Sequence, residues 1–216
     1  SQGVVPKNAA DTMSMAVEEI NAMDPMPDFV VHLGDIVNVP DEKSLKHFEK
    51  LAEPLKPVDV LVHGNHDTRP PFTAFRDLSD RMMGLRDVYF SFDVGQWHFI
   101  VTPCNLPHTN QESIEAEEAM LEWLEKDLEA NKDKPTIFFN HLHFMPTGLT
   151  QSEWYFFPLA LRLKLRDLMT EHGNVKYYFN GHVHNGVKPS VKMAWEYEGI
   201  QFITAPTIIH SRPFGE

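Results

Sequence analysis

Apolar residues recur along this chain in two rhythms. Met13, Val17, Ile20 and Met23 stand three or four positions apart, which is the spacing of one helical face. They predict an amphipathic helix over residues 8–24, with Asn8 as its N-cap and Asp24-Pro25 as its end. Phe29-Val30-Val31-His32-Leu33 reads as a short buried strand stopped by Gly34-Asp35. A second helix fits residues 41–55 and is broken by Pro57. A strand over 58–62 then runs into His63-Gly64-Asn65-His66-Asp67. In the middle, residues 88–92 and 97–102 predict paired strands around Asp93-Val94-Gly95-Gln96. Met120, Leu121, Leu124 and Leu128 mark a helix over 113–131. A strand over 136–139 leads into Asn140-His141-Leu142-His143. A helix over 159–172 is terminated by Gly173. A strand over 175–179 leads into Asn180-Gly181-His182-Val183-His184, and a last strand fits 199–204.

Strands alternating with helices imply an α/β fold with a largely parallel sheet covered by helices. In such sheets ligands bind beyond the carboxyl ends of the strands. No internal repeat, low-complexity tract or linker interrupts the pattern. A length of 216 residues suits one domain with one well-buried core, so residues 1–216 read as a single domain.

Composition narrows the function. Hydrophobic residues make up 42% and charged residues 23%, as in ordinary globular proteins, and no apolar run approaches the ~20 residues of a membrane span. No secretory signal is visible at Ser1, which leans toward a cytoplasmic chain unless residues precede Ser1. A net charge of −12 argues against nucleic-acid binding, which is driven by Lys and Arg on phosphates. It leaves a small phosphate-containing substrate open, because a bound metal ion can reverse the local field. The single cysteine, Cys104, can form neither an internal disulfide nor a thiolate site alone, and reads as core. Histidine is the unusual count, at twelve.

Four segments share one grammar: an apolar strand ends, and a residue with metal-ligand chemistry follows at once. They are Gly34-Asp35, Gly64-Asn65-His66-Asp67, Asn140-His141 and Gly181-His182-Val183-His184. If the strands are parallel neighbours, all four endings lie on one edge of the sheet. Gly34, Gly64 and Gly181 each stand directly before a candidate ligand, where a residue without Cβ allows a sharp exit and a close backbone approach. One carboxylate, one amide oxygen and three imidazoles suit manganese, iron, zinc, cobalt or nickel better than a structural thiolate zinc site. Asp35 can bridge two ions with its two oxygens. His182 and His184 fall on the same side if the backbone is extended. Taken singly, each of these residues also has a plain reading: Asp35 as a turn or N-cap, Asn65 as a left-handed turn residue, a histidine as a hydrogen-bonded group. His32 and His63 read as core positions or as neighbours of the ligands. His47, His98 and His172 sit in ordinary helix or strand contexts. His108 and His210 fall in loops, and His143 could line the same crevice as His141.

At these residues the chain resembles the calcineurin-like metallophosphoesterase superfamily. The match is Gly34-Asp35, Gly64-Asn65-His66-Asp67, His141 after a strand, and Gly181-His182-Val183-His184, in family order over most of the chain. The rest of the chain resembles the branch that includes class III cyclic-nucleotide phosphodiesterases. The resemblance implies a sandwich of two packed β-sheets flanked by helices. It implies two divalent ions (manganese, iron, zinc or cobalt) bridged by Asp35. Asn65, His141 and His182 would hold one of them, and His184 the other. It also implies that His66 acts on the scissile phosphate as proton donor or charge stabiliser, with Asp67 orienting its ring. Water activated by the two metals would attack a small phosphodiester or, as the second choice, a phosphomonoester.

One departure bears on this. The superfamily's first motif, Asp-x-His, is expected about forty residues before Asp35, which falls upstream of Ser1. Asp11-Thr12-Met13 is no substitute, since it lies in a helix and lacks the histidine. The expectation is a fragment lacking its first strand and its C-terminal end, rather than a chain that has lost two ligands. A catalytically silent scaffold for protein interaction is the alternative function. The sequence leaves substrate, metal identity and oligomeric state open.

Overall fold

The computed structural model describes residues 8–67, 73–104, 111–144, 159–184 and 193–208. Its elements in chain order are α1 (Ala9–Asn21), β1 (Phe29–His32), α2 (Glu42–Ala52), β2 (Val58–Leu61), α3 (Thr73–Met83), β3 (Phe90–Val94), β4 (Trp97–Val101), α4 (Gln111–Ala130), β5 (Thr136–Phe139), α5 (Leu159–Glu171), β6 (Val175–Asn180), β7 (Ala194–Tyr197) and β8 (Ile200–Thr204). Asn8 caps α1 as its sequence predicts, accepting the Asp11 N–H at 2.9 Å. Asp41 does the same for α2 from Ser44 N at 2.8 Å.

The strands form two sheets. One is the parallel pair β1-β2, and the other has the order β3-β4-β5-β6-β8-β7, with β4, β5, β6 and β8 parallel. The two sheets pack face to face. Val60 and Val62 from the small sheet bury against Phe99, Val101 and Phe139 from the large one. Phe29 sets its ring edge on Phe92, Phe99 and Phe139 at centroid distances of 5.2, 5.0 and 6.4 Å, the geometry that aromatic quadrupoles favour. Leu61 points the other way, into a cluster with Met13 and Val17 of α1, Leu45 and Phe48 of α2, and Phe75 and Leu78 of α3. The far face of the large sheet offers Ile100, Phe138, Tyr178 and Phe202 to Met120, Leu124 and Leu128 of α4 and Leu161, Leu165 and Met169 of α5. The layers thus run helix, sheet, sheet, helix, and the central strands are apolar on both faces because both are covered. Cys104 is buried in the α4/α5 core, as its sequence suggests.

Four details differ from the sequence pattern. The four motif-bearing strand ends do not lie on one edge of one sheet: β1 and β2 belong to the small sheet, β5 and β6 to the large one, and their ends meet because the sheets are stacked. Residues 73–83 form a helix that the pattern did not single out. Residues 194–197 form an edge strand antiparallel to β8. The β3-β4 hairpin is also tighter than expected, with Val94 paired to Trp97.

His98 has a larger part than its plain strand context suggests. It is buried in β4, with Nδ1 2.7 Å from Asp93 Oδ1 and Nε2 2.7 Å from Asp127 Oδ2. It therefore ties β3, β4 and α4 together. Burial works against the charged ring, but the Asp127 and Asp93 carboxylates outweigh it and the pKa is raised above 6.5. Lys134 completes the group on Asp93.

Candidate metal centre

Asp35, Asn65, His141 and His182 come from the ends of β1, β2, β5 and β6, and the structure brings all four to one point. His141 stands at its centre. Its Nδ1 lies 2.7 Å from the Leu33 carbonyl, which can only accept, so Nδ1 carries the proton. In the neutral ring Nε2 then has a bare lone pair. Around Nε2 lie Asn65 Oδ1 at 3.0 Å, Asp35 Oδ2 at 3.1 Å and His182 Nδ1 at 3.1 Å. Asp35, His141 and His182 can offer ligand atoms that all lie within 4.8 Å of one another. Lone pairs of oxygen and nitrogen pointed at each other repel unless a cation sits between them. Separations near 3 Å suit neighbouring ligands of one small ion held at ~2.0–2.2 Å. The residues therefore fit a divalent metal. The Leu33 carbonyl is the outer partner that fixes tautomer and ring direction in such sites.

The backbone is shaped for this meeting. Gly34 has φ 84° and Asp35 φ 51°, a left-handed stretch that turns the chain sharply out of β1. A Cβ on Gly64 would stand 2.0 Å from Asp35 N and 2.5 Å from Asp35 Oδ1. Only glycine lets the β2 exit come so close to the β1 exit. Asp35 and His182 are two of the three non-glycine residues with positive φ among those described, and the third, Glu198, lies in the β7-β8 turn. Strained backbone of this kind persists where its surroundings over-determine it.

Burial would raise the Asp35 carboxyl. In the metal-free chain a proton on His141 Nε2, by its hydrogen bond and charge, together with the His66 N–H, outweighs that and holds the carboxyl below its ordinary 3.8. A bound cation would take that proton's place. Asp67 behaves oppositely. Fully buried and close to the negative Asp35, its carboxyl is pushed up to about 6.

His66 is half-buried beside the cluster. Its main-chain N–H donates to Asp35 Oδ1 at 2.8 Å, and its ring Nδ1 donates to the Asn38 carbonyl at 3.0 Å. The orienting role that the motif suggests for Asp67 is filled by that carbonyl. Asp67 instead accepts Gly64 N at 3.0 Å and Val37 N at 3.4 Å, and so folds the turn that carries Asn65 and His66. His184 is exposed and lies outside the three-residue cluster. The two-residue spacing from His182 does not place it there, because His182 has φ 65° and the segment is not extended.

His143 is fully buried, with Nδ1 2.9 Å from Thr204 Oγ1 and its ring on Trp195. Burial pushes it down to about 4, and it does not line an open crevice. His63 is buried against Phe75 and His32 pairs with Asp59 at 2.7 Å. His108 and His210 lie outside the described residues. Sequence reasoning missed the Leu33 and Asn38 carbonyls, which no side-chain pattern reveals. It also missed the buried amides: Asn140 Nδ2 donates toward Thr102 O, Thr102 Oγ1 and Pro103 O, each at 2.9 Å, and its Oδ1 accepts Leu142 N at 2.7 Å, which pins the turn carrying His141. The visible signal was an asparagine closing each of two adjacent strands, Asn140 and Asn180.

Stacked sheets between helical layers, with a carboxylate, an amide and two imidazoles meeting at the strand ends, define a metal-site α/β sandwich. The chain belongs to the calcineurin-like phosphoesterase family, which matches it over residues 7–186. It is similar to the serine/threonine-protein phosphatase CPPED1 of Homo sapiens, at 30% identity over 78% of this chain and 57% of that protein. It is also similar to the 3',5'-cyclic adenosine monophosphate phosphodiesterase CpdA of Escherichia coli strain K12, at 24% identity over 86% of this chain and 63% of that one. A third relative is a probable cyclic nucleotide phosphodiesterase of Rhodopseudomonas palustris, at 29% identity over 82% and 64%. The chain thus spans somewhat under two thirds of the length of these relatives. Its fold matches a purple acid phosphatase from yellow lupin seeds with a TM-score of 0.59, covering 91% of this chain and 39% of that one at 17% identity. No described helix is long and apolar enough to cross a membrane.

Proposed function

We propose that this chain carries the metal-binding and proton-donating part of a phosphodiester hydrolase. The observation that carries this reading is the convergence of Asp35, Asn65 and His182 on the bare Nε2 of His141. Those four residues would hold one divalent ion. Asp35, with two oxygens, would share a second ion with His184. Bound there, the metal supplies Lewis-acid activation of water and of the phosphoryl oxygens.

The chain's own residues do the rest. Asp35 holds the His66 turn against the cluster through the His66 N–H. The Asn38 carbonyl fixes the His66 ring by Nδ1, so Nε2 is the nitrogen left to face substrate. From there the doubly protonated ring would offset charge on the leaving oxygen or deliver its Nε2 proton to it, leaving a neutral ring that keeps its Nδ1–H on Asn38. A donor poised beside the cluster favours an enzyme over a silent scaffold, which has no use for one.

Similarity to cyclic-nucleotide phosphodiesterases supports a diester substrate, and similarity to a protein phosphatase supports a monoester. Hydrolysis of bis(p-nitrophenyl) phosphate and of p-nitrophenyl phosphate, each with added Mn²⁺, separates them. We expect faster turnover of the diester. Activity confined to the monoester moves the assignment to a phosphatase. No activity on either ester, with Mn²⁺ bound, leaves the scaffold reading. Metal titration alongside should find one ion held more tightly than any second, since the Asp35, Asn65, His141 and His182 group is already assembled.

A further inference from the structure

His182 reaches the cluster through a bent backbone. Its φ is 65°, and Val183 N–H donates across it to the Gly181 carbonyl at 2.7 Å. A bond from residue i+2 to residue i around a positive φ is a γ-turn of the rare, strained hand. Such a turn at a residue with a Cβ needs neighbours that hold it.

Those neighbours form one hydrogen-bonded chain. The Gly181 carbonyl also accepts Asn180 Nδ2–H at 2.8 Å. That carbonyl belongs to the peptide joining Gly181 to His182, so fixing it sets the plane from which His182 departs. Asn180 Oδ1 accepts the Thr204 hydroxyl at 3.1 Å. A threonine has one hydroxyl proton, and here it is spent on Asn180. The 2.9 Å contact between His143 Nδ1 and Thr204 Oγ1 must therefore be donated by the ring. Proton directions are thus fixed from His143 to Thr204 to Asn180 to the Gly181 carbonyl. Asn180 and His143 are fully buried and Thr204 nearly so, so water cannot substitute for a lost partner. Strand pairing alone does not call for these links. Asn180 and Thr204 are already the last paired residues of the β6-β8 ladder, and their side chains add a second connection aimed at the turn.

We propose that Asn180, Thr204 and His143 are positioning residues that hold the strained γ-turn at His182 and so aim its Nδ1 at Asp35 and His141. This rests on reading that cluster as a metal site.

The test is Mn²⁺ titration calorimetry on the full chain, with the visible spectrum of the Co²⁺-loaded protein as a second readout. Wild type is compared with Thr204→Val, Thr204→Ser and His141→Ala. Valine keeps the shape and removes the hydroxyl, while serine keeps the hydroxyl. Thr204→Val should weaken Mn²⁺ binding about 10–100-fold, the usual effect of losing an outer partner, and should alter the Co²⁺ spectrum. Thr204→Ser should stay within about threefold of wild type on the same basis. A merely structural role would lower the unfolding midpoint of the metal-free protein and leave the affinity of the folded protein unchanged. If Thr204→Val binds Mn²⁺ like wild type while His141→Ala does not bind it, the positioning role is overturned and the metal site stands. If His141→Ala also binds like wild type, the metal reading itself fails. Should Thr204→Val not fold, His143→Asn and His143→Leu replace it, since asparagine keeps a donor near the Nδ1 position and leucine does not. Weaker binding in the leucine variant alone supports the proposal, and equal affinities overturn it.

Discussion

The Asp35 carboxylate and the His66 main chain are joined directly: Oδ1 accepts the His66 N–H at 2.8 Å while Oδ2 lies 3.1 Å from His141 Nε2. One side chain therefore shapes both the turn that carries the His66 ring and the point where the candidate ligands meet. The Asn38 carbonyl holds the other end of that ring. The candidate ligands and the proposed proton donor are thus physically linked, yet their roles are separable by mutation, because the groups concerned differ.

Asp35→Asn tests the bridging role. Asparagine keeps an oxygen that can accept the His66 N–H, so the turn should survive. The negative charge and the second anionic oxygen are lost. We expect Mn²⁺ affinity to fall by more than the ~10–100-fold typical of an outer partner, and any two ions to weaken together in elemental analysis. Loss of only one of two ions shows that Asp35 serves a single ion.

Gly64→Ala tests the close approach of the two small-sheet strand ends. The added Cβ would stand 2.0 Å from Asp35 N, which is backbone and cannot rotate away. We expect a stability loss at or above the ~1–3 kcal/mol of ordinary overpacking, with weakened Mn²⁺ binding because Asp35 must move. A variant with wild-type unfolding midpoint and wild-type affinity would show that the strand ends are farther apart in solution.

Much of this arrangement is legible in the sequence because its parts are local. The helical spacing of Met13 and Val17, the apolar runs at Phe29 and Val58, and a glycine before each of Asp35, Asn65 and His182 all lie within a few residues of what they predict. What escaped notice depends on distant partners. The division of the strand ends between two sheets rests on Phe29 meeting Phe92, Phe99 and Phe139 across the sandwich, which no window of sequence contains. Helix α3 did show apolar spacing in Phe75, Leu78 and Met82, and β7 showed alternation in Trp195 and Tyr197 before Glu198-Gly199. Both were short, and their apolar faces make sense only against Leu61 and Phe202. The His66 ring is held by a carbonyl, and every residue type except its geometry is equal in that respect.

Stability should depend on pH through His98. Its pKa is raised above 6.5 in the folded chain by Asp127 and Asp93, against the opposing effect of burial. The folded ring then holds its proton more tightly than the unfolded ring. Its stabilisation is complete below about 6.5 and is lost as the pH rises through the folded value. Urea unfolding at a series of pH values from 6 to 9 (on the order of one point per half unit, to resolve a single titration) should show stability falling across that window. In His98→Gln this component of the fall should disappear, at a cost of about 1.5–3 kcal/mol at the acid end, the worth of a charged hydrogen bond. An unchanged pH slope in the variant would assign the dependence to other groups.

His66→Ala separates chemistry from binding. The candidate ligands Asp35, Asn65, His141 and His182 all remain, and Asp35 Oδ1 still accepts the main-chain N–H of residue 66, because alanine keeps it. Metal content should therefore be nearly unchanged. What disappears is the ring held by Asn38, and with it charge stabilisation or proton delivery at the leaving oxygen. General-acid contributions are ~10²–10⁴-fold in rate. The size of the loss should follow the leaving group. An alkoxide needs its proton and should slow by that full range, while p-nitrophenolate departs readily without one and should slow less. The measurement is kcat for an alkyl diester and a nitrophenyl diester in wild type and variant, with metal content determined on the same samples. Metal lost with the ring would make His66 a ligand. Metal retained with both substrates slowed equally would assign the ring to positioning, since a proton or a charge offered to the leaving oxygen helps an alkoxide more than a p-nitrophenolate.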